Sequence, residues 1–170
     1  MLYLYVFAAV LLRLLPHPWN VTPLGAMFLF SGATFRRKWQ SLAIPVAALI
    51  ISDCAVIRVL YGAHFSWFMP YDWAGFLLVG LIGWALRDRI SPASVISGSL
   101  AGSIVFFLVS NFGVWASGTL YPLNLSGLVA CFTAAIPFFG NTAVGDLFFA
   151  AVMFGSYQWI ARWRSVAVQA

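Results

Sequence analysis

Long apolar runs, broken only by short polar punctuation, dominate this chain and leave it few folds to choose from. Charged residues make up 8% of the sequence and apolar residues 63%, where a soluble domain would be near a quarter charged and half apolar. That balance excludes a water-soluble globule. The runs approach the roughly 20 residues that one helical membrane crossing consumes. The expected class is therefore an all-α integral membrane protein, with residues 1–170 forming one six-helix domain.

Six spans follow from the punctuation. The first runs from about Leu2 to Leu15 and ends at Pro16-His17-Pro18; the second runs from Pro23 to Phe35 and stops at Arg36-Arg37-Lys38. The third covers about Leu42 to Tyr61, the fourth about Trp73 to Leu86, and the fifth about Ala93 to Ser117. The last apolar stretch, Gly127 to Ile160, would extend about 50 Å as one helix, against a hydrocarbon core of about 30 Å. Pro137 and Gly140-Asn141 offer a break. The expectation is a short or re-entrant segment near 127–138, then a sixth span near 141–160, with the break as a candidate site wall.

Basic residues set the expected orientation. Arg36, Arg37 and Lys38, then Arg87 and Arg89, then Arg162 and Arg164 all fall on one side if both termini are cytoplasmic, as the positive-inside rule asks. The nine basic and four acidic residues form no basic face with interleaved aromatics, so a nucleic-acid partner is not expected. The N-terminus lacks a basic n-region and a small-x-small cleavage site, and is expected to be a retained span rather than a signal peptide. Cys54 and Cys131 stand apart in apolar runs, which implies neither a disulfide framework nor a zinc site. The sequons at Asn20 and Asn124 are short enough to arise by chance.

The polar residues within apolar surroundings are the candidates for function, because charge at membrane depth is costly and tends to mark pathways or sites. Asp53 lies in the outer half of span three, with Arg58 five residues on. An ion pair of Asp53 with Arg58 or Arg13 that only fixes helix packing is the competing structural explanation. Asp146 closes the polar cluster Gly140-Asn141-Thr142-Ala143-Val144-Gly145-Asp146. There Asn141 with Gly145 and Thr142 with Asp146 form two adjacent stripes. Asn111 precedes Trp115 by one turn at the outer end of span five. Outer connections add His64, Trp67 and Tyr71, which serve either as interfacial anchors or as a stacking surface for a flat ligand. Small residues at four-residue spacing (Ser94, Gly98 and Gly102; Ala43 and Ala47) predict close helix packing inside the bundle or docking onto another subunit.

A family resemblance rests on particular residues. Arg13-Leu14-Leu15-Pro16-His17-Pro18-Trp19-Asn20 and Thr22-Pro23-Leu24-Gly25-Ala26 resemble the start of the bacterial DUF6580 transport proteins. So do Ser110-Asn111-Phe112-Gly113-Val114-Trp115, Tyr121-Pro122, Gly127-Leu128, Ala134-Ala135-Ile136-Pro137-Phe138-Phe139, Asn141-Thr142 and Gly145-Asp146. That family is similar to the substrate-binding S components of energy-coupling factor (ECF) vitamin transporters. The resemblance implies a compact six-helix protein of the bacterial inner membrane that takes a vitamin-like molecule, a corrinoid among the options, into an outward pocket. It also implies an ECF ATPase and T-component module as a partner. Two features depart from S components: Leu4, Ala8 and Leu12 supply no alanine-xxx-alanine docking pair, and His64-Phe65-Ser66-Trp67 has no cobalt-holding cysteine.

The expected pocket therefore draws on Asp53, Arg58, His64, Trp67, Tyr71, Asn111, Trp115, Asn141 and Asp146, with no catalytic residue, metal or cofactor. Two other functions compete. An intramembrane hydrolase would use Asp53 and Asp146 as a carboxylate pair sharing a proton. An accessory subunit would bind no ligand. Serine, zinc and ATP-hydrolysing motifs are absent from the sequence.

Overall fold

The computed structural model describes residues 2–15, 20–55 and 69–167. Six helices make up its regular structure: α1 (Leu2–Leu14), α2 (Leu24–Thr34), α3 (Lys38–Ala55), α4 (Met69–Ala85), α5 (Pro92–Ala116) and α6 (Leu125–Ala167). By length and composition, α5 and α6 can each cross a membrane, and α1 and α2 are shorter apolar helices.

The shortest helix holds the fold together. Every residue of α2 from Leu24 to Ala33 is buried, and α2 packs against each of the other five helices. A helix that is apolar on all sides has no face to give to water, so it takes the centre. Its approach to α4 is backbone against backbone. A Cβ on Gly32 would overlap the Gly80 carbonyl and come within 2.9 Å of the Gly83 Cα. One on Gly83 would overlap the Leu29 carbonyl. Small residues at helix crossings permit this approach. On α5, Gly98 receives the Leu86 side chain and Gly102 receives Val79, the internal packing expected of that stripe. Ser94 does not share in it; it completes a capping box with Ser91, and Pro92 starts the helix. Ala43 and Ala47 are exposed, so the packing expected of that pair inside the bundle is corrected. The α3 face that turns inward carries Ser41, Pro45, Leu49 and Ser52 instead.

The expected break before the last span is also corrected. Helix α6 runs unbroken for 43 residues with Pro137 inside it, a length of about 65 Å. Proline removes only its own donor and frees the carbonyl four residues back, here that of the exposed Thr133. Helix α4 begins a turn earlier than expected, which brings Asp72 into its first turn.

The outside of the bundle is apolar. Leu4, Phe7, Ile51, Ile96, Val144 and Phe148, on four different helices, are each about half exposed or more. The ends differ in charge. At one end the Arg87 Nε donates to the Gly32 carbonyl at 2.8 Å. The Lys38 ammonium sits 5.3 Å from the centre of the Trp84 ring, and the Trp84 Nε1 donates to the Ser41 hydroxyl. The Tyr5 hydroxyl meets that of Ser156 at 3.0 Å, and Phe30 contacts Phe154 and Tyr157. The start of α1 and the later part of α6 thus reach the same end as the first two basic clusters.

Candidate functional site

At the opposite end the helices part around a hollow of about 330 Å³. Helix geometry selects its walls. Helix α5 contributes Phe106, Phe107, Ser110, Asn111 and Val114, and α6 contributes Ala135, Phe138, Phe139, Thr142 and Asp146. Both sets follow the three- and four-residue spacing of one helix face. Leu49 and Asp53, one turn apart on α3, face Asp72, Trp73 and Phe76 on α4. Arg13, Asn20, Thr22 and Leu24 complete the lining. Asn20 has a left-handed backbone, φ 61°, which asparagine tolerates better than most residues.

Two polar assemblies frame the hollow. In the first, Arg13 forms an ion pair with Asp53 at 2.5 Å and donates through its other amino group to the Ser52 hydroxyl at 2.7 Å. Ser52 in turn donates to the Leu49 carbonyl. The Trp73 Nε1 donates to the second Asp53 oxygen at 2.6 Å. Asp53 thereby ties α1, α3 and α4 together, with Arg13 as its ion-pair partner among the described residues. An ion pair so satisfied holds its geometry, and losing one member would leave an uncompensated charge.

The second assembly closes the hollow's inner end. Asp146, 6% exposed, accepts from the Ser103 hydroxyl of α5 at 2.7 Å and from the Ala26 N–H. Ala26 lies in the first turn of α2, whose N-cap, Pro23, provides no side-chain cap. The carboxylate thus caps α2 from another helix, where its charge complements the positive end of the helix dipole. Gly25 makes this possible, since a Cβ there would overlap the carboxylate. At the other end of α2, the Arg87 guanidinium meets a terminal carbonyl. The buried helix is held by opposite charges at its two termini.

Of the residues expected at a pocket, Asp53, Asn111 and Asp146 share this hollow. Asn111 lines it while its Nδ2 donates to the Phe107 carbonyl at 2.7 Å. Tyr71 is elsewhere: it packs on the Gly113 backbone and against the Phe112 ring between α4 and α5. Trp115 donates from Nε1 to the Pro122 carbonyl and ties down the α5–α6 connection. Asn141 is exposed; the helix turns it about 100° from Thr142, which does line the hollow. Arg58, His64 and Trp67 lie outside the described residues. Of the lining residues that sequence reasoning did not select for the pocket, Arg13 was legible as a charge at the end of an apolar span. Ser103, the hydrogen-bond partner of Asp146, repeats Ser99 after one turn. The phenylalanines carry no signal distinguishing a pocket wall from a core.

The family profile DUF6580 matches residues 1–168. The chain belongs to this family. Its description is a family of unknown function, so membership assigns no activity to the hollow. No curated protein and no solved structure matches the chain. Among the described residues, no group of three or more histidines, cysteines or acids is placed to hold a metal.

Proposed function

We propose that this DUF6580 protein is a membrane uptake protein that binds a small vitamin-like molecule in the hollow, in the manner of an ECF S component. It would lie in the bacterial inner membrane, with both termini and the basic clusters cytoplasmic and the hollow facing out. The carrying observation is the hollow itself: a 330 Å³ space where polar groups of an otherwise apolar bundle gather. Ligand sites are typically mainly apolar cavities with a few fixed polar groups. The exposed apolar side chains on α1, α3, α5 and α6 suit lipid contact. The gathering of basic residues at the far end suits a cytoplasmic face. An ATPase-linked partner module belongs to the same proposal.

The volume is near the lower end of the range for drug-sized ligands, which favours a molecule smaller than a corrinoid. The hydrolase alternative has less support. Asp53 is engaged by Arg13 and Trp73, while Asp146 is engaged by Ser103 and Ala26. A proton-sharing pair would need the two carboxyls in hydrogen-bond reach. Native mass spectrometry of the protein released from lipid nanodiscs tests the proposal. Wild type should retain a co-purified small molecule, and Ala135→Trp, which fills the hollow, should lose it while staying folded. Retention unaffected by Ala135→Trp, or no retained molecule in wild type, contradicts the proposal.

A further inference from the structure

Resting on the reading of the hollow as a ligand pocket, we infer that its ligand is a small organic cation with an apolar or aromatic body. Among the described residues, Asp53, Asp72 and Asp146 line the hollow together with a single cation, Arg13. Arg13 is committed to Asp53 and Ser52. Asp146 receives hydrogen bonds from Ser103 and Ala26 and faces about half a unit of positive charge from the α2 terminus, but no counter-ion among the described residues. Asp72 lies on the same wall of the hollow as Asp53 and Arg13. Among the described residues it forms no ion pair of its own.

Among the described residues the lining, with its carboxyls ionised, holds two more formal negative charges than positive ones, and uncompensated charge in such surroundings is costly, so the ionised forms call for a cation. A cation lodged between Asp72 and Asp146 supplies the missing charge. The remaining wall suits the rest of such a molecule. Phe76 and Phe106 stack at 4.3 Å, and Phe107 meets Phe139 edge to face at 5.2 Å. Aromatic faces attract a cation within about 6 Å and bury apolar surface. An anionic ligand finds the opposite: three carboxyl groups, and an arginine already paired with Asp53.

The test uses three probes of matched shape on the full chain in lipid nanodiscs, read by titration calorimetry: 2-phenylethylammonium, 2-phenylethanol and 3-phenylpropanoate. The ammonium probe should bind at least tenfold more tightly than the other two. Asp72→Asn should remove that preference while leaving 2-phenylethanol binding unchanged, and Asp72→Glu should restore it. Equal binding of all three, or preference for the carboxylate, overturns the inference even if Ala135→Trp abolishes binding, and the pocket reading then survives. If none of the three binds, the inference also falls. A molecule retained in mass spectrometry would show that the pocket itself stands, and its absence there would remove both readings.

Discussion

The two ends of α2 solve the same problem in opposite ways. Each terminus of a buried helix leaves backbone groups without partners, and each here is met by a charge from elsewhere in the chain, Asp146 of α6 and Arg87 of the turn after α4. At the C-terminal end the charge, Arg87, sits where Gly32, Gly80 and Gly83 bring helices into backbone contact, and the region closes. At the N-terminal end the charge, Asp146, sits beneath large rings, Phe76, Phe106, Phe107 and Phe139, which hold the helices apart and leave a hollow. Glycine closes one half of the bundle, and phenylalanine with aspartate opens the other. The difference teaches that a buried charge in this protein can be structural and still line a cavity.

Substitutions that disturb the closed end should do the most damage. Gly32→Val forces a side chain into the α4 backbone and should cost about 3 kcal/mol or more, seen as loss of the monodisperse protein in size-exclusion chromatography. A normal elution profile would show that the two backbones do not meet so closely. At the open end, Arg13→Ala leaves Asp53 without its partner. The expected loss is about 3 kcal/mol, read from the thermal midpoint. Arg13→Ala combined with Asp53→Ala should regain most of it, and a double variant no better than the single would show that the ion pair is not the source.

A smaller effect is expected at the α2 cap. Asp146→Ala should lower stability by about 2 kcal/mol, as removal of a cap does. A stability equal to wild type would mean that the α2 terminus finds its partners elsewhere. The least sensitive positions face outward from the bundle. A Cβ on Gly140 meets nothing within 4 Å, so Gly140→Ala should raise the thermal midpoint slightly, by about 0.5–1 kcal/mol of helix propensity. A fall would place a partner on that face.

The fold was legible where apolar length and punctuation speak for themselves. The bounds of α1, α2 and α5 lie close to those expected from Pro16, Arg36 and Ser117. The central place of α2 was not legible, because a helix apolar all round looks the same whether lipid or protein covers it. Pro137 gave a false break: a proline removes one donor and frees one carbonyl, and a helix of 43 residues continues through that local loss. Within the site, the Thr142–Asp146 stripe was legible as helix spacing, but the choice between it and the Asn141–Gly145 stripe was not. That choice depends on which face of α6 meets α2 and α5. Asp72 was not legible as a wall residue, because the apolar run alone places the start of α4 one turn too late. The Asp53–Arg13 pair was foreseeable as an alternative, but spacing alone offered Arg58 equally.

Whether the hollow faces out, opposite the basic end, can be measured by cysteine labelling in intact cells. In a background with Cys54 and Cys131 replaced by alanine, Ser110→Cys should react with a membrane-impermeant maleimide added outside. Arg37→Cys should react only after the cells are permeabilised. Labelling of Arg37→Cys from outside, or of Ser110→Cys only after permeabilisation, would contradict an outward-facing pocket.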